Sequence, residues 1–249
     1  MNRYFRMVFL LIALPVALLQ GCASPPVNPT PEALYQEGEQ YFKNGKYQDA
    51  IAQWKKVKES FHAPDLTAKA EIGIADAYFL NKEYIEAAVA YEDFRKLHPS
   101  HAKAAHALYR QGVSSYNQIT GTDTDQTPLT TALTLFESYR KQYPKGDDAA
   151  DVLTRINSCR DNQLEYEIYV GRFYLKTGKY PAAIARFDAA QKSFPGQSRR
   201  DEVLLLLGKA YFESGQAAKG REVYTRLAAE YPASGFLAES VKIQDKYRE

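Results

Sequence analysis

The stretch Tyr174-Leu-Lys-Thr-Gly-Lys-Tyr-Pro-Ala-Ala-Ile-Ala-Arg-Phe187, closed by Pro195, reads as a helical hairpin. Tyr174 ends a helical run with an aromatic ring, and Gly178 stands where a helix stops, because a left-handed residue there costs glycine nothing. Tyr180 fills the corner. Pro181 suits the first turn of a second helix, where no backbone N–H is needed. Ala183 is small where two helices would cross, Phe187 and Ala190 continue the same face, and Pro195 ends the helix.

The same pattern occurs four more times. Leu34, Gly38, Tyr41, Gly45, Tyr47, Ala50, Trp54 and Val57 form the first copy. The second has Ala75, Tyr78, Tyr84, Ala87, Tyr91, Phe94 and Pro99, with Lys82 in the glycine position. The third has Tyr109, Gly112, Tyr116, Ala132, Phe136, Tyr139 and Pro144, but the turn between its helices is enlarged over Ile119 to Leu129. A helical run from about Asp147 to Lys176 leads into the opening stretch, the fourth copy. The fifth has Leu207, Gly208, Tyr211, Gly215, Tyr224, Leu227 and Pro232, with Ala217 at the corner and Gly220 for the small alanine, and a final helix follows over Phe236 to Tyr247. A hairpin this short cannot bury its apolar faces alone, so neighbours must stack. The small–aromatic spacing with turn glycine and terminal proline resembles the tetratricopeptide repeat. The expected fold is all-α, a right-handed superhelical array of five such hairpins with a C-terminal capping helix.

The front of the chain is of another kind. Arg3 and Arg6 precede a short apolar run, Met7 to Leu19, too short to remain as a bilayer-spanning helix. It ends Leu19-Gln20-Gly21-Cys22, which resembles a bacterial lipobox. That resemblance implies a signal peptide over 1–21, cleavage before Cys22 and a lipid on its thiol. With Ala23 next, it implies sorting to the outer membrane, facing the periplasm. Residues 22–31 form a proline-rich tether, 32–146 the first three repeats, and 147–249 repeats four and five with the cap.

Composition excludes more than it selects. Lys and Arg total 32 against 30 Asp and Glu, a net charge of +2, which gives no basic footprint for nucleic acid. The second cysteine, Cys159, has no partner once Cys22 is acylated and reads as a small buried residue. His98, His101 and His106 lack accompanying acidic or thiol ligands. Asp123 and Asp125 lack the glycine and terminal glutamate of a calcium loop. There is no phosphate loop, zinc-protease helix or nucleophile elbow. The sequence therefore gives no catalytic residues, no cofactor and no metal, and leaves binding.

In a tetratricopeptide array the first helices line the concave face. The residues not used by the hairpin pattern there are Tyr35, Glu39, Phe42, Ile72, Asp76 and Phe79, continued by Arg110, Ser114 and Asn117. Aromatics among hydrogen-bonding groups suit an extended peptide with an aromatic anchor, so Tyr35, Phe42, Asp76, Phe79 and Arg110 are the candidate substrate-peptide contacts.

Several features together resemble the BamD family of lipoproteins, which belong to the outer-membrane β-barrel assembly machinery. They are the lipobox, the tether, the five repeats, the run Asp123 to Thr127 before the sixth helix, and two blocks in repeat four: Glu165-Tyr166-Glu167-Ile168 with Gly171-Arg172-Phe173-Tyr174, and Ala183-Ile184 with Arg186-Phe187. The resemblance implies a scaffold and not an enzyme. It implies binding to the periplasmic domains of BamA, mainly through the C-terminal repeats, association with other Bam lipoproteins, and recognition of the C-terminal signal of unfolded outer-membrane proteins by the N-terminal repeats. On the BamA side the candidate is Arg186. The competing reading is a different tetratricopeptide lipoprotein, such as a pilotin or a peptidoglycan-synthesis coordinator.

Overall fold

The computed structural model describes residues 29–60 and 64–248. The signal peptide, Cys22 and most of the tether lie outside them. Among the described residues the chain is all helix, in eleven segments: α1 Pro31–Lys43, α2 Tyr47–Glu59, α3 Pro64–Leu80, α4 Tyr84–Leu97, α5 Ala104–Tyr116, α6 Thr127–Gln142, α7 Ala149–Lys176, α8 Tyr180–Ser193, α9 Arg200–Glu213, α10 Ala217–Glu230 and α11 Leu237–Lys246. Each helix packs chiefly on its sequence neighbours, as in a stacked array. Pro31, read from sequence as the last tether residue, is the first residue of α1, whose N-terminus is capped by the Thr30 hydroxyl accepting from Ala33 N at 3.2 Å.

One rule builds all five hairpins. A large ring on the second helix (Trp54, Tyr91, Phe136, Phe187, Tyr224) is fully buried against a small residue on the first (Gly38, Ala75, Gly112, Gly171, Gly208). At the four glycines an added Cβ would strike that ring, so the helices meet closely only because it is missing. Rings with a polar atom find a partner: Trp54 Nε1 donates to Tyr35 O at 3.2 Å, and Tyr224 O–H donates to Leu205 O at 3.1 Å. Four of the five turns share a left-handed residue, which is Gly45, Gly178 or Gly215 at φ 71–77° in three of them. Lys82 adopts the same conformation at φ 63°, so the second turn keeps its shape without glycine.

The long helix α7 divides between two cores. Its first part contributes Val152, Ile156 and Cys159 to the core of α5 and α6, and its second part contributes Leu164 and Ile168 to the core of α8 to α10. It is two first-helices joined end to end. The first has no second helix of its own, and Leu153 is exposed there; the second has no preceding hairpin.

Candidate functional site

The concave-face candidates fall into three groups. Ile72 and Ser114 are buried, Ser114 completely, and Ile72 within the core that α3 forms with α4 and α5; they cannot line a groove, which corrects the sequence reading. Phe42 and Phe79 are half-buried. Each packs edge-on against the corner tyrosine of its own turn, Tyr47 and Tyr84, with centroids 5.6 Å apart in both cases. Their first task is therefore to set the turn. Tyr35, Asp76 and Arg110 are also half-buried and already engaged. Tyr35 O–H donates to Glu39 at 3.1 Å; burial first, and the Glu39 charge second, push its phenol up to about 12. Asp76 Oδ1 accepts from Tyr91 O–H at 2.5 Å and lies 3.2 Å from His106 Nε2. Arg110 lies over the Phe79 ring, 4.4 Å from its centroid. Asn117 is exposed at the end of α5. The first three repeats thus bring Asp76, Phe79 and Arg110 together as a linked, partly open surface.

The enlarged turn after α5 is closed by its own side chains. Asp125 Oδ1 accepts from Thr127 N at 2.9 Å and from the Thr127 hydroxyl at 2.7 Å, and these two bonds hold the Asp125 carboxyl below its ordinary range. Gln126 Nε2 donates to Thr122 O and Thr124 O. The Asp-Gln-Thr run is therefore a loop clasp. Beside it Tyr116, Gly121, Thr122, Gln126, Leu129 and Asn162 enclose a cleft of about 440 Å³ that links the turn to α7.

In the C-terminal half, Arg186 is 41% exposed and donates through Nη1 to both Glu167 oxygens, at 3.0 and 3.1 Å. That hydrogen bonding, and the Glu167 charge after it, raise its basicity. Arg186 is thus a half-exposed cation braced by a carboxylate. Sequence reasoning missed what lies nearby: Tyr169 and Phe173, on the same helix as Glu167, are 50% and 54% exposed. It also missed Ile85 and Val89 on α4, exposed beside a cleft of about 350 Å³ whose walls include Lys55 and Asp93.

Cys159 is fully buried, and loss of hydration pushes its thiol up to about 12, which keeps it protonated and unreactive. His98 Nε2 lies 2.6 Å from the buried carboxylate of Glu71, which Lys58 also reaches at 3.2 Å, so this histidine ties the α4–α5 loop to α3. No group of metal-ligating side chains occurs among the described residues, and no described helix is long and apolar enough to cross a membrane.

Residues 28–227 match the model of the YfiO family, described as an outer membrane lipoprotein. An outer membrane protein assembly factor BamD from Neisseria meningitidis is 26% identical over 259 residues, covering 98% of this chain and 97% of its own. The BamD of Caulobacter vibrioides is 24% identical over 243 residues, covering 95% and 80%. Among solved structures, the crystal structure of MamA protein aligns with a TM-score of 0.41 and 15% identity over 88% of this chain and 96% of that one.

Proposed function

Because the chain belongs to the YfiO family of outer membrane lipoproteins, we propose that it is a BamD-type assembly factor, a scaffold and not an enzyme. It is exported by the 1–21 signal peptide, anchored through lipid on Cys22 to the periplasmic face of the outer membrane, and held off that surface by the 22–31 tether. Repeats four and five, with Arg186, bind the periplasmic domains of BamA. Repeats one to three present Tyr35, Phe42, Asp76, Phe79 and Arg110 to the C-terminal signal of unfolded outer-membrane proteins, and other Bam lipoproteins complete the assembly.

The observation that carries this reading is the family match over residues 28–227, joined to a relative named a BamD assembly factor that is covered over 97% of its own length. The half-buried setting of Phe42 and Phe79 adds a condition: a peptide must draw on their ring edges and on Asp76 and Arg110 together, since neither ring projects freely. Depletion in the parent bacterium tests the role. The expected outcome is loss of folded barrel proteins from the outer membrane, with BamA co-purifying with the lipoprotein before depletion. Normal barrel insertion after depletion, with a defect confined to pili or cell-wall synthesis, sinks the proposal.

A further inference from the structure

The repeats can be compared with one another position by position. In α3, α5 and α9 three residues face the preceding hairpin: Ala70, Gly73 and Ala77; Ala107, Arg110 and Ser114; Val203, Leu206 and Ala210. Ala70, Ala77, Ala107, Val203, Leu206 and Ala210 share cores with the preceding helix, and of the nine all but Gly73 and Arg110 are buried. The same positions in α1 are Ala33, Gln36 and Gln40, and in the second part of α7 they are Tyr166, Tyr169 and Phe173.

Among the described residues, two of the five stacking faces are therefore uncovered. The face on α1 is exposed and ends in glutamines, as the outer end of an array requires. The face on α7 carries three aromatic side chains, Tyr169 and Phe173 exposed and Tyr166 half-buried. Being uncovered does not by itself call for aromatic residues, as α1 shows. Exposed aromatics grouped in this way mark a surface that something covers.

The surroundings indicate what covers it. At the place of Phe173 every covered face has a small residue, Ala77, Ser114 or Ala210, which lets a helix of this chain come close; Phe173 holds a neighbour further out and, with Tyr169, offers ring faces instead. The carboxylates alongside are engaged, Glu165 by Arg199 at 3.4 Å and Glu167 by Arg186. Lys176 and Lys179, at the turn end of the face, are exposed and have no carboxylate partner among the described residues. The uncompensated charge is thus positive. A second copy docked two-fold would bring the same cations to the same contact. At the other end, one helical turn before Tyr166, Asn162 joins the cleft closed by the enlarged turn.

We propose that Tyr166, Tyr169 and Phe173 seat an apolar segment of a different protein, flanked by carboxylates that meet Lys176 and Lys179, and that this segment stands where a preceding hairpin would. The proposal rests on the reading that the C-terminal repeats carry BamA, and it specifies the face they use.

The test measures binding of the full-length protein in detergent to the purified periplasmic domains of its own BamA. Tyr169→Ser with Phe173→Ser should weaken binding at least tenfold, while Gln36→Ala with Gln40→Ala leaves it within twofold; circular dichroism checks that both remain folded. Lys176→Glu with Lys179→Glu should weaken binding about threefold and flatten its salt dependence. If the wild type binds and the aromatic variant binds equally well, the face is wrong and the BamA reading stands. If the wild type does not bind at all, both fall. A wild-type dimer in sedimentation that the aromatic variant dissolves assigns the face to a second copy and overturns the proposal.

Discussion

The α4–α5 junction and the α8–α9 junction occupy equivalent places in the array and are built from different chemistry. Against α8 the fifth repeat sets Val203, Leu206 and Ala210, an apolar seam within one core. Against α4 the third repeat sets Ala107, Arg110 and Ser114. Around them Arg95 Nη1 donates to Gln111 at 2.6 Å, Tyr91 O–H donates to Asp76, and His106 reaches the same carboxylate. Two buried atoms there, Arg110 Nε and Ser114 Oγ, have no hydrogen-bond partner. The apolar seam gains stability by removing surface from water. The polar junction gains less, because each group must first recover what hydration gave it. The α8–α9 junction has polar groups too, but at the start of α9, where Gln191 Nε2 donates to Arg200 O at 2.9 Å and Arg200 Nε is buried without a partner; the α4–α5 junction places them along the seam itself.

The sharpest way to break this contrast is Leu206→Ala. Emptying the apolar seam should cost about 2–5 kcal/mol in urea unfolding, and a loss below about 1 kcal/mol means the seam is not what holds α9 to α8. Tyr91→Phe comes next. It removes a hydrogen bond to a carboxylate and should cost about 1.5–3 kcal/mol. Burial first, and Asp76 second, raise the Tyr91 phenol well above its ordinary value of 10.0. The folded state thus keeps its proton where the unfolded state loses it. The associated stability is fully present below pH 10 and disappears as the pH climbs from there towards the raised value. Wild type should lose stability with a steeper slope above pH 10 than Tyr91→Phe; equal slopes place the alkaline sensitivity elsewhere.

Ser114→Ala should do the opposite and stabilise by about 1 kcal/mol, since it deletes an unpartnered buried hydroxyl where repeats two and five already carry Ala77 and Ala210. A loss of stability on thermal melting would show that the hydroxyl is satisfied in solution. The smallest effect is expected at Lys82→Gly. A left-handed non-glycine residue costs about 1–2 kcal/mol, and the freedom glycine returns to the unfolded chain offsets part of that, leaving a gain of roughly 0.5–1 kcal/mol.

The hairpins were legible because the pattern is local. Gly38, Gly171 and Gly208 with Trp54, Phe187 and Tyr224 state the helix crossing within one repeat, and the irregular turn after Tyr116 was visible as a break in that spacing. The groove was harder to read. Ile72 and Ser114 look free in the hairpin pattern, yet Ile72 is buried in the core that α3 shares with α4 and α5, and Ser114 is buried on the face turned to the hairpin before it. Tyr169 and Phe173 err the other way, since no hairpin precedes them. The signal was present in the repeat alignment, where Leu206 and Ala210 hold the same two places, but its meaning depends on which helix comes earlier in space. Arg186 was identifiable as surplus to its hairpin core; its brace, Glu167, comes from the neighbouring helix 19 residues earlier in sequence.

Because α7 runs unbroken for 28 residues, the two cores share one helical phase as well as one rod. Cys159 ends the contribution to the first core and Leu164 begins the contribution to the second, and there is no loop between them to absorb a change of length. One residue added there turns everything after it by about 100° and advances it by about 1.5 Å. The aromatic face and Arg186 would swing together to another side of the array, with both cores intact. The azimuth of the C-terminal repeats about the α7 axis, and so the direction in which they meet a partner, is therefore fixed by a residue count.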